Sequence, residues 1–201
     1  MTNLATTLAR TTARYPDRAA VCMDERVMRY RDLDETSARA ASWLSGRGIG
    51  AGDRVGLMLP NVPEFPGLYY GILRAGAIVV PMNPLLKSRE IEYYLADSGA
   101  ALVLAWHGVA DQAAEGARRA GTDLVIIEPG ELAGILAGHA PVAMAHPIPT
   151  TWPKEWNRGS APRTTSSGRR FSSVALVTSI LRSRLSWVSS APFGWPVVPE
   201  V

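Results

Sequence analysis

The regular alternation of short apolar runs with amphipathic stretches over the first 140 residues is the feature that most constrains the fold. The apolar runs lie at 54–59, 77–80, 101–105 and 124–127. Each run has the length and composition of one buried parallel strand. Strands that alternate with helices of about ten residues are typical of parallel crossover units. The sequence therefore predicts an α/β fold with a partial doubly wound sheet.

Local signals place further elements around this sheet. Asn3 is a candidate N-cap for a first helix that ends before Pro16. Residues 19–30 read as a hairpin, and Cys22 in its first strand is expected to be a small core residue. Ser88 is expected to cap the helix that follows the second buried strand.

The composition changes beyond residue 140. Residues 151–201 hold 10 Ser, 5 Pro, 4 of the 6 Trp, 7 basic and 2 acidic residues, a net charge of +5. Residues 1–150 hold 14 basic and 16 acidic residues, a net charge of −2. Serine and arginine richness is typical of disorder, whereas disordered tails are poor in tryptophan. We expect an irregular or disordered tail, and its arginines have no ordered framework that would indicate nucleic-acid binding.

Several classes of protein lack support in this sequence. No apolar run of membrane-spanning length and no secretory signal is visible, and Cys22 stands alone, so we expect a cytoplasmic protein. His107, His139 and His146 lack the spacing of metal ligands and are expected at loop or surface positions. We assign no metal site and no catalytic residue.

One long pattern resembles a known family. Residues 52–61 read Gly-Asp-Arg-Val-Gly-Leu-Met-Leu-Pro-Asn, and residues 69–84 read Tyr-Tyr-Gly-Ile-Leu-Arg-Ala-Gly-Ala-Ile-Val-Val-Pro-Met-Asn-Pro. This pattern is similar to the adenylate-forming enzymes, which comprise acyl-CoA synthetases, luciferases and peptide-synthetase adenylation domains. Asn83, where peptide synthetases commonly carry Asp, favours the fatty-acid–CoA ligases. Within this stretch Tyr69, Gly76 and Pro81 are expected to be scaffold residues.

The resemblance implies both a fold and a reaction. The fold is the first part of the family's large N-terminal domain. The reaction joins a fatty or related carboxylic acid to CoA through an acyl-adenylate, with ATP, CoA and Mg²⁺ as the implied cofactors. Phosphoryl chemistry needs a loop of backbone N–H groups, a lysine and the metal ion around the phosphates. In the family this loop reads roughly Thr-Ser-Gly-Thr-Thr-Gly-x-Pro-Lys-Gly.

The chain carries only a degenerate version of that loop. Thr150, Thr151 and Lys154 match part of the pattern, but Trp152 replaces a glycine. We interpret these three residues as a remnant phosphate-binding loop. One inserted guanine after the Lys154 codon would turn Lys-Glu-Trp-Asn into Lys-Gly-(Val or Met)-Glu, which resembles the family's continuation. This favours a slip of the reading frame between residues 140 and 157.

We therefore divide the chain into residues 1–140, the front of an AMP-binding acyl-CoA synthetase domain, and residues 141–201, a non-family and frameshifted tail. We expect an N-terminal fragment that is inactive alone and whose exposed sheet edge, where later strands should add, favours aggregation. Two alternatives stay open. The chain is a non-catalytic module that pairs with a separately encoded C-terminal ligase half, or it binds ATP through Thr150, Thr151 and Lys154 in an unusual loop.

Overall fold

The computed structural model describes residues 3–143 and the backbone of residues 163–164 and 170–171. The chain divides into two compact units, residues 1–152 and residues 153–201. In the second unit the described backbone forms two antiparallel strands, Arg163–Thr164 and Arg170–Phe171. The other residues of the tail lie outside the described ranges, so their expected irregularity stays a prediction.

Helices and strands of the first unit follow the predicted order. The helices are α1 (Leu4–Arg14), α2 (Tyr30–Gly46), α3 (Glu64–Arg74), α4 (Ser88–Ser98), α5 (Ala110–Ala120) and α6 (Leu132–Leu136). The strands are β1 (Ala19–Met23), β2 (Arg26–Arg29), β3 (Arg54–Met58), β4 (Ile78–Pro81), β5 (Leu102–Trp106) and β6 (Asp123–Ile127). A 3₁₀ turn, His107–Val109, precedes α5. Helix α6 lacks a sequence prediction because it spans little more than one turn.

The four predicted buried strands form one parallel sheet in the order β4-β3-β5-β6. Alternate residues along a strand point to opposite faces. Leu102 and Leu104 therefore join a core with α2, α3 and α6, while Val103 and Ala105 join a second core with α4 and α5. Helices on both faces of a parallel sheet confirm the predicted doubly wound α/β fold.

Helix α2 lies very close to α3. A methyl group added at Gly71 would lie 2.5 Å from the Ala40 Cβ atom, and one at Gly67 would lie 2.7 Å from the Thr36 Cγ2 atom. Arg74 closes the same interface, because its Nη2 atom contacts Asp34 Oδ1 at 2.5 Å. Small residues and one ion pair thus fix the spacing of the two helices that cover one face of the sheet.

Two local predictions are corrected by the structure. Cys22 is exposed rather than buried, because a two-stranded hairpin can pack only one of its faces. Ser88 is the first residue of α4, and Lys87 is the N-cap. Glu90 Oε2 accepts the Lys87 N–H at 2.9 Å, and Gln112 Oε1 accepts the Ser88 N–H at 2.9 Å. The side chain that accepts the Ser88 N–H therefore belongs to α5, and no local sequence pattern reveals this contact.

The predicted N-cap of α1 is confirmed, since Asn3 Oδ1 accepts the Ala5 N–H at 2.9 Å.

The Asp97 carboxyl makes stability depend on pH. Partial burial raises the pKa of Asp97 above its ordinary value of 3.8, and the residue lies in the last turn of α4, where the helix dipole disfavours a negative charge. The folded state therefore loses stability as pH rises from the unfolded pKa through the higher folded pKa. We expect Asp97→Asn to stabilise the chain at pH 7 by about 0.3 to 1 kcal/mol. Urea unfolding at pH 7 and at about pH 3, where the advantage should vanish, measures this effect.

A second aspartate provides the matched control. Asp111 lies in the first turn of α5, where the same dipole favours the charge. Asp111→Asn should therefore leave stability at pH 7 unchanged or lower it. If both substitutions raised the free energy of unfolding equally, the effect could not be explained by the position of Asp97 in the last turn of α4.

Candidate functional site

The residues predicted to bind phosphate, Thr150, Thr151 and Lys154, lie outside the described residues. The structure does show where the chain lies shortly before these residues. The Val142 N–H donates to the Ala38 carbonyl oxygen at 3.4 Å, and Arg39 Nη1 donates to the His139 carbonyl oxygen at 3.0 Å. The last described residues before Thr150 are therefore anchored to α2.

A cleft of about 710 Å³ opens beside this anchor, between the β1–β2 hairpin, α2, the start of α3, and α6. Its apolar lining includes Val27, Leu132 and Leu136. Its charged lining has both signs, with Arg26 and Arg39 beside Asp32, Glu35 and Glu64. The lining therefore has no surplus of positive charge that would attract phosphate groups.

The acidic groups of the cleft hold its walls together. Glu64, only 8% exposed, accepts the Gly130 N–H at 3.2 Å and so joins the start of α3 to the loop after β6. Glu35 Oε1 accepts a hydrogen bond from Arg39 Nη2 at 2.8 Å, which stabilises the surface of α2. Asp97 and Glu115, whose pKa values are shifted, do not line the cleft. Hydrogen bonds from Arg118 and Arg119 lower the pKa of Glu115 on the outer surface of α5.

The carboxyl ends of β5 and β6 carry one further pair of polar side chains. His107 Nδ1 lies 3.5 Å from Glu128 Oε2, and the two side chains are 41% and 47% exposed. The Trp106 ring lies edge-on to His107, with centroids 5.0 Å apart. In doubly wound sheets ligands bind at the carboxyl ends of strands where the strand order reverses, here between β3 and β5. The exposure of His107 confirms the predicted surface position, and His139 lies half-buried after α6.

The expected scaffold residues have the predicted roles. Tyr69 packs against the first core and stacks on Phe65 with centroids 6.0 Å apart. Gly76 has a φ of +81°, which favours glycine, and Pro81 is the last residue of β4. These positions build the sheet and its turns.

Sequence reasoning missed the buried charges of this scaffold. Arg74 is 5% exposed and pairs with Asp34, and its Nε atom has no hydrogen-bond partner among the described residues. The sequence signal was a charged residue inside an otherwise apolar helical stretch.

Within the described part of the chain no cluster of His, Cys, Asp and Glu side chains has the geometry of a metal site. No helix in this part has the length and apolar character needed to span a bilayer.

Comparison with known proteins assigns the fold to a family. The family model described as AMP-binding enzyme matches residues 8–157, and the chain belongs to this family. The long-chain-fatty-acid–CoA ligase of Salmonella typhimurium is 48% identical over 92 residues. That match covers 45% of this chain and 16% of the relative, so the chain spans only about one sixth of the relative's length.

Solved structures agree with this assignment. A benzoate CoA ligase from Burkholderia xenovorans superposes with a TM-score of 0.67 at 25% identity, covering 76% of this chain and 31% of the other. The N-terminal domain of FACL13 from Mycobacterium tuberculosis superposes with a TM-score of 0.64 at 31% identity, covering 73% and 38%. The described fold thus matches part of each of these two solved structures, and in the second case that part belongs to an N-terminal domain.

Proposed function

We propose that this chain is the front part of an ATP-dependent ligase that activates a fatty or related carboxylic acid as its CoA thioester. The observation that carries this proposal is the 48% identity over 92 residues to a long-chain-fatty-acid–CoA ligase. The 31% identity to the N-terminal domain of FACL13 supports membership of the same family. In the proposed reaction the carboxylate attacks the α-phosphate of ATP, pyrophosphate leaves, and the CoA thiol then displaces AMP.

The proposed cofactors are ATP, CoA and Mg²⁺, and the proposed phosphate contacts are Thr150, Thr151 and Lys154. The family match extends to residue 157 and therefore includes these three residues. Lysine supplies a point charge to phosphate, and threonine hydroxyls supply hydrogen bonds. Trp152 and the prolines nearby remove the close backbone approach that such a loop needs, so we expect weak contacts.

We further propose that the chain is inactive alone. Its described residues build a sheet, two cores and a cleft lined by acidic and basic side chains, whereas the matched segment covers only 16% of the long-chain-fatty-acid–CoA ligase relative. A second candidate, an N-terminal half that works with a separately encoded ligase half, is favoured by the same partial coverage. The exposed free thiol of Cys22 suits a reducing compartment, and we propose the cytoplasm.

Acid-dependent exchange of pyrophosphate into ATP tests these proposals. We expect no exchange above background for the purified chain, and exchange after addition of the downstream-encoded polypeptide only if the enzyme is split. Lys154→Ala should then reduce the exchange, whereas Lys87→Ala changes the other lysine of the chain, which is exposed at the start of α4, and should not. Exchange by the chain alone would contradict the proposed inactivity.

The tail requires a separate test. We propose that residues from about 141 onward are translated out of frame, with the slip between residues 140 and 157. The family match reaches residue 157, so it favours a slip at the downstream end of this interval. Sequencing the gene decides the question, because the alternative frames downstream should encode a glycine-rich ligase continuation. Their failure to do so would refute the slip.

A further inference from the structure

The C-terminal half of α1 and the turn after it carry a concentration of positive charge. Arg10, Arg14 and Arg18 follow one another at intervals of four residues, and all three are exposed. Arg10 and Arg14 both belong to α1, where this interval places them on the same side of the helix. Like charges at this spacing repel each other and oppose helix formation. The buried residues of α1 are Ala5 and Leu8, so the packing of the helix requires neither arginine.

No carboxylate among the described residues forms an ion pair with any of these three arginines. The acidic residue closest to them in sequence, Asp17, pairs with Arg31 instead. An exposed arginine on α5 shows the contrasting arrangement, because the Arg118 guanidinium contacts the Glu115 carboxylate. The surface at the end of α1 therefore keeps an excess of positive charge that the described part of the chain does not neutralise.

The ring of Tyr15 holds two of the three arginines close together. The Cζ atoms of Arg14 and Arg18 each lie 5.2 Å from the centroid of this ring, which is a cation–π distance. The two Cζ atoms are therefore separated by at most twice that distance. Contact with a ring uses none of the guanidinium N–H groups in a conventional hydrogen bond, so these donors stay available to an acceptor. Side chains that are restrained before binding lose less entropy when a ligand arrives.

A hollow of about 510 Å³ opens beside these side chains. Its lining contains no acidic residue and consists of Thr7, Arg10, Thr11, Ala13, Arg14 and Tyr15. The Thr11 hydroxyl donates to the Thr7 carbonyl oxygen at 2.8 Å, whereas the hydroxyls of Thr7 and Tyr15 have no hydrogen bond among the described residues and can donate to a ligand. The negative end of the α1 dipole amounts to only about half a charge, so the three guanidinium charges dominate here.

We propose that this hollow binds a dianionic phosphoryl group through Arg10 and Arg14, with Arg18 beside them on the Tyr15 ring. A phosphoryl group suits the hollow better than a carboxylate, because it offers more charge and more acceptor oxygens for several guanidinium groups to share. The proposal is independent of the ligase function and concerns residues that the proposed reaction does not use. A dianionic phosphoryl group belongs either to a soluble phosphate compound or to the headgroup of an anionic phospholipid, and two experiments distinguish these sources.

Titration of the full chain with pyrophosphate over roughly 0.1 to 20 mM tests the soluble source. Nuclear magnetic resonance follows the amide signals of Thr11, Arg14 and Tyr15, which should shift and saturate together. Arg14→Gln removes one guanidinium and should raise the dissociation constant about fivefold, the equivalent of one exposed ion pair. The double variant Arg10→Gln, Arg14→Gln should raise it at least about tenfold. The matched control Arg118→Gln removes an exposed arginine that already has a carboxylate partner, and it should leave the dissociation constant unchanged.

Co-sedimentation with vesicles tests the lipid source. Vesicles of phosphatidylcholine with phosphatidic acid are compared with vesicles of phosphatidylcholine alone. If the headgroup is the ligand, the wild type and Arg118→Gln should bind the anionic vesicles, and the double variant Arg10→Gln, Arg14→Gln should bind at least about tenfold more weakly. The basic residues 151–201 are identical in all variants, so their contribution cancels in this comparison.

Two results would overturn the proposal. The first is a wild-type chain that shows neither saturable amide shifts at Thr11, Arg14 and Tyr15 nor a preference for anionic vesicles. The second is a loss of binding in Arg118→Gln as large as that in Arg14→Gln, because binding would then depend only on the net charge of the chain. Saturable binding in either assay with the expected order of variants supports the proposal and identifies the source of the phosphoryl group.

Discussion

Replacing Asp34 with alanine is expected to lower the free energy of unfolding by about 3 kcal/mol. Asp34 is the acidic partner of Arg74, whose side chain is 5% exposed at the end of α3. Arg74 Nη1 also donates to the Asp34 carbonyl oxygen at 3.1 Å, and this bond survives the substitution. What remains is a buried guanidinium without a counter-charge, and such a group is expensive because water cannot solvate it. Urea unfolding followed by circular dichroism measures the loss.

The neighbouring glutamate is a matched control for Asp34. Glu35 also pairs with an arginine, Arg39, but its side chain is 57% exposed. Exposed ion pairs contribute about 0 to 1 kcal/mol, so Glu35→Ala should have a small effect. Asp34→Asn, which keeps an acceptor oxygen and loses the charge, should fall between the two alanine variants. If Asp34→Ala and Glu35→Ala proved equally stable, the buried pair would not hold α2 against α3.

Replacing Gly71 with alanine is the second change with a large expected effect, also about 3 kcal/mol. The added methyl group would lie 2.5 Å from Ala40 Cβ and 3.2 Å from the Ser37 carbonyl oxygen. Backbone atoms of α2 cannot rotate away, so α3 would have to move from the sheet that it covers. The higher helix propensity of alanine offsets only about 1 kcal/mol of this cost. Thermal and urea unfolding report the change.

Two further variants separate crowding from backbone effects. Gly134 lies in α6 with no atom within 4 Å of an added methyl group, so Gly134→Ala should be neutral or slightly stabilising. Ala40→Gly in the Gly71→Ala background removes the closest contact and should restore part of the stability. A loss of stability in Gly134→Ala equal to that in Gly71→Ala would contradict the role of close helix packing.

The order and type of the main elements could be predicted because they depend on local periodicity. Four apolar runs became β3, β4, β5 and β6, and the amphipathic stretches became α1 to α5. The prediction failed where a long-range contact decided the outcome. Gln112 from α5 satisfies the first N–H of α4, which made Lys87 rather than Ser88 the cap. Cys22 is exposed because its two-stranded hairpin packs only one of its faces.

The candidate site was predictable only in part. The motif around Gly76 and Pro81 identified the family, since turn and strand-end positions leave a readable pattern. The proposed phosphate contacts Thr150, Thr151 and Lys154 lie outside the described residues and stay predictions. The cleft beside α2 left no sequence signature, because its walls come from four separate segments of the chain.

The sequence by itself determined the class of fold, the family and the two faces of the sheet, because periodicity and turn residues act over a few neighbours along the chain. Only the tertiary structure decided which charges are buried and which strands lie at the edges of the described sheet. Arg74 became a buried cation because α2 brings Asp34 to it. Strand β6 became an edge strand of the described sheet because the strand order places it at the end. Both outcomes depend on contacts between residues far apart in sequence, which no local pattern records.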